Sequence, residues 1–198
     1  MGEITIIEKP DWITYDDIHD LLYDAHGSNR EKGFNVNTAV MNGKELEEHL
    51  GQNGKTLVAM DGDKMVGTVS YRTIYRENWC IKGEVGDIIL LGVLPEYKGK
   101  HIASTMTKRV REELLASGCH CIEVRTAEEN ESVQKLSLKN GYRYVDFVSS
   151  KTDHYTVVMM KWFDECPYSL RKTNWHFKMK RFLIKLRFKP GKIKRFGI

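Results

Sequence analysis

A nearly uninterrupted apolar stretch at residues 85–94, Val-Gly-Asp-Ile-Ile-Leu-Leu-Gly-Val-Leu, constrains the fold more than any other part of the sequence. It predicts a strand covered on both faces, and Pro95 ends it because proline lacks the amide that a sheet uses. A loop containing lysine and glycine follows, and an amphipathic helix begins directly after it. The apolar side of this helix consists of Ile102, Met106, Val110 and Leu114. This strand, loop and helix predict an α/β domain with helices packed on a sheet.

The remaining periodicities complete the predicted set of elements. Apolar runs and alternation predict strands at residues 4–8, 56–60, 65–73, 119–126, 142–148 and 155–163. Helical spacing predicts one helix after Thr14 or Asp16 and others at residues 43–50 and 130–138. This order predicts an α/β fold with a mixed, mostly antiparallel, six- to seven-stranded twisted sheet that has helices on both faces.

Cysteine usage and the lengths of the apolar runs predict a cytoplasmic protein without a transmembrane segment. The four cysteines, at positions 80, 119, 121 and 166, are too few and too irregular for a disulfide framework. Cys119 and Cys121 flank His120, but no second Cys/His pair stands at zinc-like spacing, so no metal is expected. No apolar run approaches the roughly 20 residues of a membrane helix, and the N-terminus lacks the pattern of a signal peptide.

Charge is distributed unevenly along the chain, although the formal net charge is only +4. Residues 166–198 contain 11 Lys or Arg and no Asp or Glu, so this segment carries +11 and residues 1–165 carry −7. We therefore expect one domain at residues 1–165 and a basic, aromatic-rich extension at residues 166–198.

The extension combines helical spacing with basic charge. Thr173 or Asn174 is the predicted cap of a helix, and Pro190-Gly191 predicts a turn before residues 192–198. The apolar side of this helix holds Trp175, Met179, Phe182, Leu183 and Leu186. Such an element binds an anionic membrane surface, RNA or an acidic partner, or else packs its aromatic residues on the acidic domain or on a second subunit. The packed arrangement is favoured, because it buries the apolar side within the protein.

The loop before the predicted helix at residues 102–116 has the composition of a phosphate site. The first amides of a helix lack partners within it, and the helix dipole adds positive charge there. Lys98 and Lys100 strengthen this charge, and Gly99 and Ala103 let the backbone approach an anion. A solvated turn fits the same composition, and neither a Walker motif nor a dinucleotide fingerprint is present in the sequence.

Two blocks of the chain resemble the GNAT family of N-acetyltransferases. The family's pyrophosphate loop reads Gln/Arg-x-x-Gly-x-Gly/Ala, and its counterparts are Lys98, His101 and Ala103, after a typical Val-x-Pro-Glu-Tyr at residues 93–97. His101 departs from the family's glycine and adds a Cβ where the backbone passes the phosphates, while the loop amides stay available.

The second block resembles the family's Asn-x-x-Ala-x-x-Leu-Tyr-x-Lys-x-Gly-Phe. Residues 130–142 read Asn-Glu-Ser-Val-Gln-Lys-Leu-Ser-Leu-Lys-Asn-Gly-Tyr. Ser137 stands where many relatives carry the tyrosine that protonates the thiolate of coenzyme A. A serine hydroxyl is a far weaker acid than a phenol, so solvent or another residue is expected to supply that proton.

The resemblance implies the acyl-CoA N-acyltransferase fold and transfer of an acetyl group from acetyl-CoA to a primary amine by direct attack in a ternary complex. It implies that a backbone amide near Val93 polarises the thioester carbonyl. Asp87 stands where one branch of the family carries a glutamate base, although a solvated residue at a strand entry fits equally; Glu84 and Tyr97 are reserve candidates. The implied acetyl-CoA contacts are Leu91, Gly92, Val93, Lys98, Gly99, Lys100, His101, Ile102, Ala103, Ser104, Asn130 and Lys139.

The acceptor is expected to be a small-molecule or peptide amine, and the family together with the aromatic extension suggests a homodimer. Candidate lining residues for the acceptor are Trp12, Tyr15, Asp17, Tyr23 and Trp79. The alternative function is a catalytically silent protein that binds CoA, nucleic acid or a membrane through its basic extension. Ser137, His101 and that extension favour the alternative.

Overall fold

The computed structural model describes residues 3–31, 41–149 and 155–187. Its strands are β1 (Ile4–Glu8), β2 (Gly54–Asp61), β3 (Lys64–Asn78), β4 (Ile81–Val93), β5 (Cys121–Ala127), β6 (Arg143–Ser149) and β7 (Tyr155–Trp162). Its helices are α1 (Tyr15–Ala25), α2 (Gly27–Glu31), α3 (Gly43–Leu50), α4 (Ile102–Ala116), α5 (Glu131–Lys139) and α6 (Leu170–Arg187).

The strands form a mixed sheet in the order β1-β2-β3-β4-β5-β7-β6. Neighbours from β1 to β4 pair antiparallel, as do β6 and β7, while β4 and β5 run parallel. This confirms the predicted class, a mostly antiparallel α/β sheet of up to seven strands. The chain divides into two compact units, Met1–Val124 with Trp162–Asp164 and Arg125–Lys161 with Glu165–Ile198. The predicted division into one domain at residues 1–165 and an extension at residues 166–198 stays a prediction.

In the first unit, α1 and α3 cover one face of the sheet. Both helices begin with a capping box, Thr14 with Asp17 and Asn42 with Glu45, in which each side chain satisfies the other residue's backbone amide. Their apolar sides enter a core cluster of Ile13, Ile18, Leu22, Leu46, Val58, Met60 and Leu90.

Two glycines of β4 allow helices to approach it closely from opposite faces. A Cβ added at Gly92 would lie 2.8 Å from Cδ2 of Leu22 and 3.1 Å from Cβ of Ala25, both on α1. A Cβ added at Gly86 would overlap the buried side chain of Leu114 on α4. Positions six residues apart share a face of a regular strand, but the irregularity between the pairs Tyr71–Ile88 and Ser70–Leu90 shifts the alternation, so β4 is held between α1 and α4.

The core of the second unit is aromatic and includes α6. Phe177 stacks on Tyr144 with 4.6 Å between ring centroids and meets Phe147 edge-on at 5.8 Å. The helix begins at Leu170, earlier than predicted, because Ser169 accepts a hydrogen bond from the Lys172 amide through its side chain. Thr173, a predicted cap, is instead fully buried within the helix. The turn predicted at Pro190-Gly191 and residues 192–198 lie outside the described residues.

Replacing Gly86 by alanine is expected to lower the free energy of unfolding by about 1–3 kcal/mol, because the new methyl group must displace Leu114 in a filled core. Gly27→Ala is the matched control, since its added Cβ meets only Arg30 at 3.7 Å and both changes remove the same freedom from the unfolded chain. Urea unfolding measures both. Equal effects of the two substitutions would contradict the close approach of α4 to β4.

Candidate functional site

The strands β4 and β5 pair over a short distance only. The parallel register joins Val85–Asp87 to Cys121–Glu123, and the described residues show no further pairing between these strands. β4 continues against β3 as far as Val93, opposite Gly67. The edge of β4 at residues 88–93 therefore faces away from β3 without β5 beside it, and an extended chain can pair with such an edge.

A β-bulge accompanies this separation. Tyr71 is paired with Ile88 and Ser70 with Leu90, so Ile89 is an extra residue in β4, two residues after Asp87, the last residue paired to β5. A bulge bends its strand and increases the local twist. The bulge thus gives a physical reason for β4 to leave β5 at this position.

The N-terminus of α4 combines backbone amides that have no side-chain cap with exposed lysines nearby. His101 precedes the helix in the left-handed region, with φ 61° and ψ 10°, and its side chain does not cap the helix. The hydroxyls of Ser104 and Thr105 donate to the His101 carbonyl, and the first turn contains no acidic residue. With Lys98 and Lys100 exposed beside them, the first amides of α4 form a positive site.

Tyr97 fixes the loop that leads to α4. Its hydroxyl donates to the Asp61 carboxylate at 2.9 Å, and this hydrogen bond raises the pKa of Tyr97. The Lys100 ammonium lies 4.2 Å from the centre of the Tyr97 ring, and Lys64 pairs with Glu96 at 3.1 Å. Tyr97, a reserve candidate for the base, is thus engaged in positioning the loop.

Asp87 lies at the end of the β4–β5 pairing and is only 3% exposed. Its carboxylate accepts a hydrogen bond from Nε of Arg72 on β3 at 3.3 Å, and Arg72 also donates to the backbone carbonyl of His49 at the end of α3. Arg72 and Asp87 therefore lie on the sheet face that α1 and α3 cover. Burial first, and the nearby Arg72 second, lower the pKa of His49.

A second buried carboxylate stands beside Asp87. Glu123 is the residue paired with Asp87 across β4 and β5, is 1% exposed, and accepts a hydrogen bond from Arg76 at 2.9 Å. Adjacent residues of parallel strands point to the same face, so both carboxylates belong to one cluster with the two arginines. The sequence reasoning missed Glu123, Arg72 and Arg76. The sequence features that could have identified them are a charged residue inside the apolar run of β5 and two arginines four residues apart in β3.

Glu84 lies on the opposite face of the sheet from Asp87. It is exposed and is paired with Tyr75. Two residues later Gly86 lies on the same face as Glu84, and this face contacts Leu114 of α4. The structure thus brings Asp87, but not Glu84, together with Arg72 and Glu123.

His26, at the C-terminal end of α1, is a further residue that sequence reasoning missed. Burial lowers the pKa of His26, a hydrogen bond to the Leu91 backbone opposes this, and the charge of Lys98 lowers the pKa further. The ring therefore lies close to the free stretch of β4 and to the basic loop. No local sequence pattern marks this position, because it depends on how α1 crosses β4.

The second unit holds the remaining predicted site residues. Asn130 caps α5, with its side chain accepting from the Val133 amide. Ser137 is 8% exposed, and Lys139 is exposed in the last turn of the same helix. Their predicted roles at the cofactor stay predictions.

The predicted acceptor-lining residues differ in exposure and in the contacts that they make. Asp17 is engaged in the capping box of α1, and its hydrogen bonds with Thr14 lower its pKa. Trp12 is 66% exposed, and Tyr23 is exposed with the Arg30 guanidinium 3.5 Å from its ring centre. Tyr15 packs against the core cluster beneath α1.

Thiol chemistry is disfavoured at the buried cysteines. Cys80, Cys119 and Cys121 are buried, and burial raises the pKa of the Cys119 thiol, which makes it a poor nucleophile. No group of three or more His, Cys, Asp or Glu side chains within the described ranges is arranged to hold a metal ion. No helix of the described part of the chain is both long and apolar enough to cross a membrane.

Comparison with known families identifies residues 15–142 as a match to the acetyltransferase (GNAT) family. This match includes the basic loop, α4, Asp87 and the block at residues 130–142.

Solved structures share the fold at low identity. The protein PH1933 of Pyrococcus horikoshii OT3 has 20% identity and a TM-score of 0.63, with 82% of this chain and 100% of that chain covered. The PaiA N-acetyltransferase of Thermoplasma acidophilum, solved with coenzyme A, has 12% identity and a TM-score of 0.59, with 81% and 99% covered. A GNAT family acetyltransferase of Elizabethkingia anophelis with acetyl-CoA bound has 13% identity and a TM-score of 0.54, with 81% and 98% covered.

Replacing His101 by glycine is expected to raise the free energy of unfolding by about 1 kcal/mol, because a side chain is strained in the left-handed region. Gly99→Ala is the matched opposite change. Gly99 has φ 82° with open space around it, so alanine there should lower stability by a similar amount. Chemical unfolding of both variants tests this. If His101→Gly does not stabilise the protein and Gly99→Ala does not destabilise it, the loop adopts another conformation.

Stability is expected to fall as the pH drops below about 6.5. The pKa values of His26, His49 and His176 are all lowered in the folded protein, chiefly by burial, so the unfolded chain takes up protons first. The unfolded state is then favoured at acid pH, and His26→Gln should reduce the loss. Urea unfolding at pH 7 and pH 5 measures it, and an unchanged loss in the variant would place His26 in a solvated position.

Proposed function

The chain belongs to the GNAT family of acetyltransferases, and from this we propose that it transfers the acetyl group of acetyl-CoA to a primary amine by direct attack in a ternary complex. The observation that carries the proposal is the arrangement within the first unit. An open edge of β4, a positive helix N-terminus and a buried carboxylate all follow one another along residues 87–104.

Acetyl-CoA fits the chemistry of these residues. Its pyrophosphate matches the first amides of α4, flanked by Lys98 and Lys100, because those amides have no side-chain cap. His101 adds a side chain at this loop but removes no amide donor. The amide-bearing arm of the cofactor matches the edge of β4 at residues 88–93, where Leu91, Gly92 and Val93 carry backbone donors and acceptors.

The transfer step joins the amine nitrogen to the carbonyl carbon of the thioester and breaks the carbon–sulfur bond. Negative charge develops on the thioester oxygen, and a backbone amide of β4 near Val93 is the proposed donor to it. The electron pair of the broken bond leaves on sulfur, the nitrogen loses its second proton to water as the amide forms, and the resulting thiolate takes a proton to give coenzyme A. Ser137 is a weak acid, so we assign that proton to solvent.

Asp87 is the proposed acceptor of the proton that the attacking ammonium must lose. Its burial makes a relay through water the expected route. Arg72 holds the carboxylate in one orientation, and Glu123 beside it adds a second anion that favours a cationic amine close to this cluster. Both small-molecule and peptide amines satisfy this requirement.

The first experiment is titration of the purified protein with acetyl-CoA by calorimetry, followed by a thiol-release assay over a panel of small amines, polyamines and peptides. Binding with turnover supports the proposal and begins to identify the acceptor. Binding without turnover on any amine supports the catalytically silent alternative, which the serine at position 137 favours. Failure to bind acetyl-CoA would overturn the proposed transfer and the CoA-binding form of the alternative.

Replacing Asp87 by asparagine is expected to lower kcat/KM by roughly 100-fold or more, because the amide cannot accept the proton. Affinity for acetyl-CoA should stay the same, and the fall of kcat/KM toward acid pH should disappear. This pH profile separates a base from a residue that only orients others. Unfolding must be measured in parallel, since the variant leaves Arg72 without its carboxylate.

Glu77→Gln is the control for charge, because Glu77 is exposed and pairs only at the surface with Lys82. It should leave turnover unchanged. A loss of turnover in Glu84→Gln, with Asp87→Asn active, would instead place the base on the α4 face of the sheet.

A further inference from the structure

The helix α6 has apolar residues on two opposite faces. Its inner face buries Phe177 and Thr173 against the second unit's own core. Its outer stripe, which we define as Trp175, Met179, Phe182, Leu183 and Leu186, is exposed. Trp175 and Phe182 are each 63% exposed and Leu186 is 64% exposed. The steps of four, three and four residues from Trp175 to Leu186 place the stripe along one side of the helix.

The stripe is presented on a fixed helix. Besides the ring contacts of Phe177, ion pairs join the inner side of α6 to the unit: Lys180 to Asp146, and Arg181 and Lys185 to Glu128. The stripe extends over about 16 Å of helix, from Trp175 to Leu186. A contiguous apolar surface that is exposed on a fixed helix indicates a binding site for another molecule or a membrane.

The charges around the stripe indicate what kind of partner binds it. The helix contains seven Lys or Arg and no Asp or Glu. Asp146 and Glu128 engage the inner basic residues, whereas Arg171, Lys172 and Lys178 are exposed. At 100° per residue, Arg171 and Lys178 lie on one side of the stripe, and Lys172 lies in line with it, about one turn before Trp175.

We propose that the outer stripe of α6 docks the protein on an anionic lipid bilayer, with the helix lying in the plane of the membrane surface. Trp175, Phe182 and Leu186 enter the boundary between headgroups and acyl chains, and the flanking basic residues contact lipid phosphates. A second copy of the chain is a poorer match, because two such helices would bring like charges together. A nucleic acid is also a poorer match, since its phosphates would meet an apolar stripe.

The test uses the full chain and two kinds of vesicle, phosphatidylcholine alone and phosphatidylcholine mixed with phosphatidylglycerol. We expect sedimentation with the mixed vesicles, weakened by added salt, and little with phosphatidylcholine alone. The double variant Trp175→Ser/Phe182→Ser should bind at least roughly tenfold more weakly. Lys178→Gln should bind about fivefold more weakly.

Trp12→Ser is the matched control, because Trp12 is 66% exposed and lies outside α6. It should bind vesicles like the parent chain. Both α6 variants should keep the unfolding midpoint and the acetyl-CoA turnover of the parent in solution, so this test is independent of the proposed chemistry.

Several outcomes would overturn the proposal. Absence of vesicle binding at low salt, or equal binding to both kinds of vesicle, would remove the anionic membrane as partner. Sedimentation equilibrium that shows self-association lost in the double variant, without vesicle binding, would assign the stripe to a second copy. Binding of single-stranded RNA that needs Trp175 and Phe182, again without vesicle binding, would assign it to nucleic acid.

Discussion

The separation of β4 from β5 is the constraint on which the candidate site depends. The last paired residues are Asp87 and Glu123, two buried carboxylates side by side. Like charges at directly paired positions oppose each other, and each is offset here by an arginine from β3. The bulge at Ile89 follows two residues after Asp87 and bends β4 away from β5. Continued pairing would close the edge of β4 and leave no place for an extended ligand.

The presence of two buried ion pairs at this position is better explained by a role at the open edge of β4 than by a gain in the free energy of unfolding. Removing two charges from water costs free energy that the mutual attraction often does not recover, and apolar residues of similar volume commonly serve a core equally well. The chain nevertheless keeps Asp87 and Glu123 in a sheet whose neighbouring positions are apolar. Under the proposed function, a carboxylate at the end of an open strand edge would give a cationic amine both a counter-charge and a route for its proton.

The sequence was informative where the signal is local. The apolar run of β4, the stripe of α4 and the caps of α1 and α5 all follow from spacing and side-chain chemistry over a few residues. The cluster around Asp87 depends on cross-strand register, because Arg72 of β3 and Glu123 of β5 are distant from Asp87 in the sequence and only strand pairing places them beside it. His26 likewise required the crossing of α1 over β4, which Gly92 permits.

The helix α6 shows why one pattern supported two interpretations. A helix with a single apolar side is explained by packing on its own domain, and Phe177 and Ile184 provide that side. The residues that made the sequence look amphipathic, Trp175 and Phe182, lie on the other side and remain exposed. Packing within the chain and binding to another body are therefore compatible, because each uses a different face. Since the inner contacts fix the helix beforehand, little conformational entropy is lost when the outer face binds.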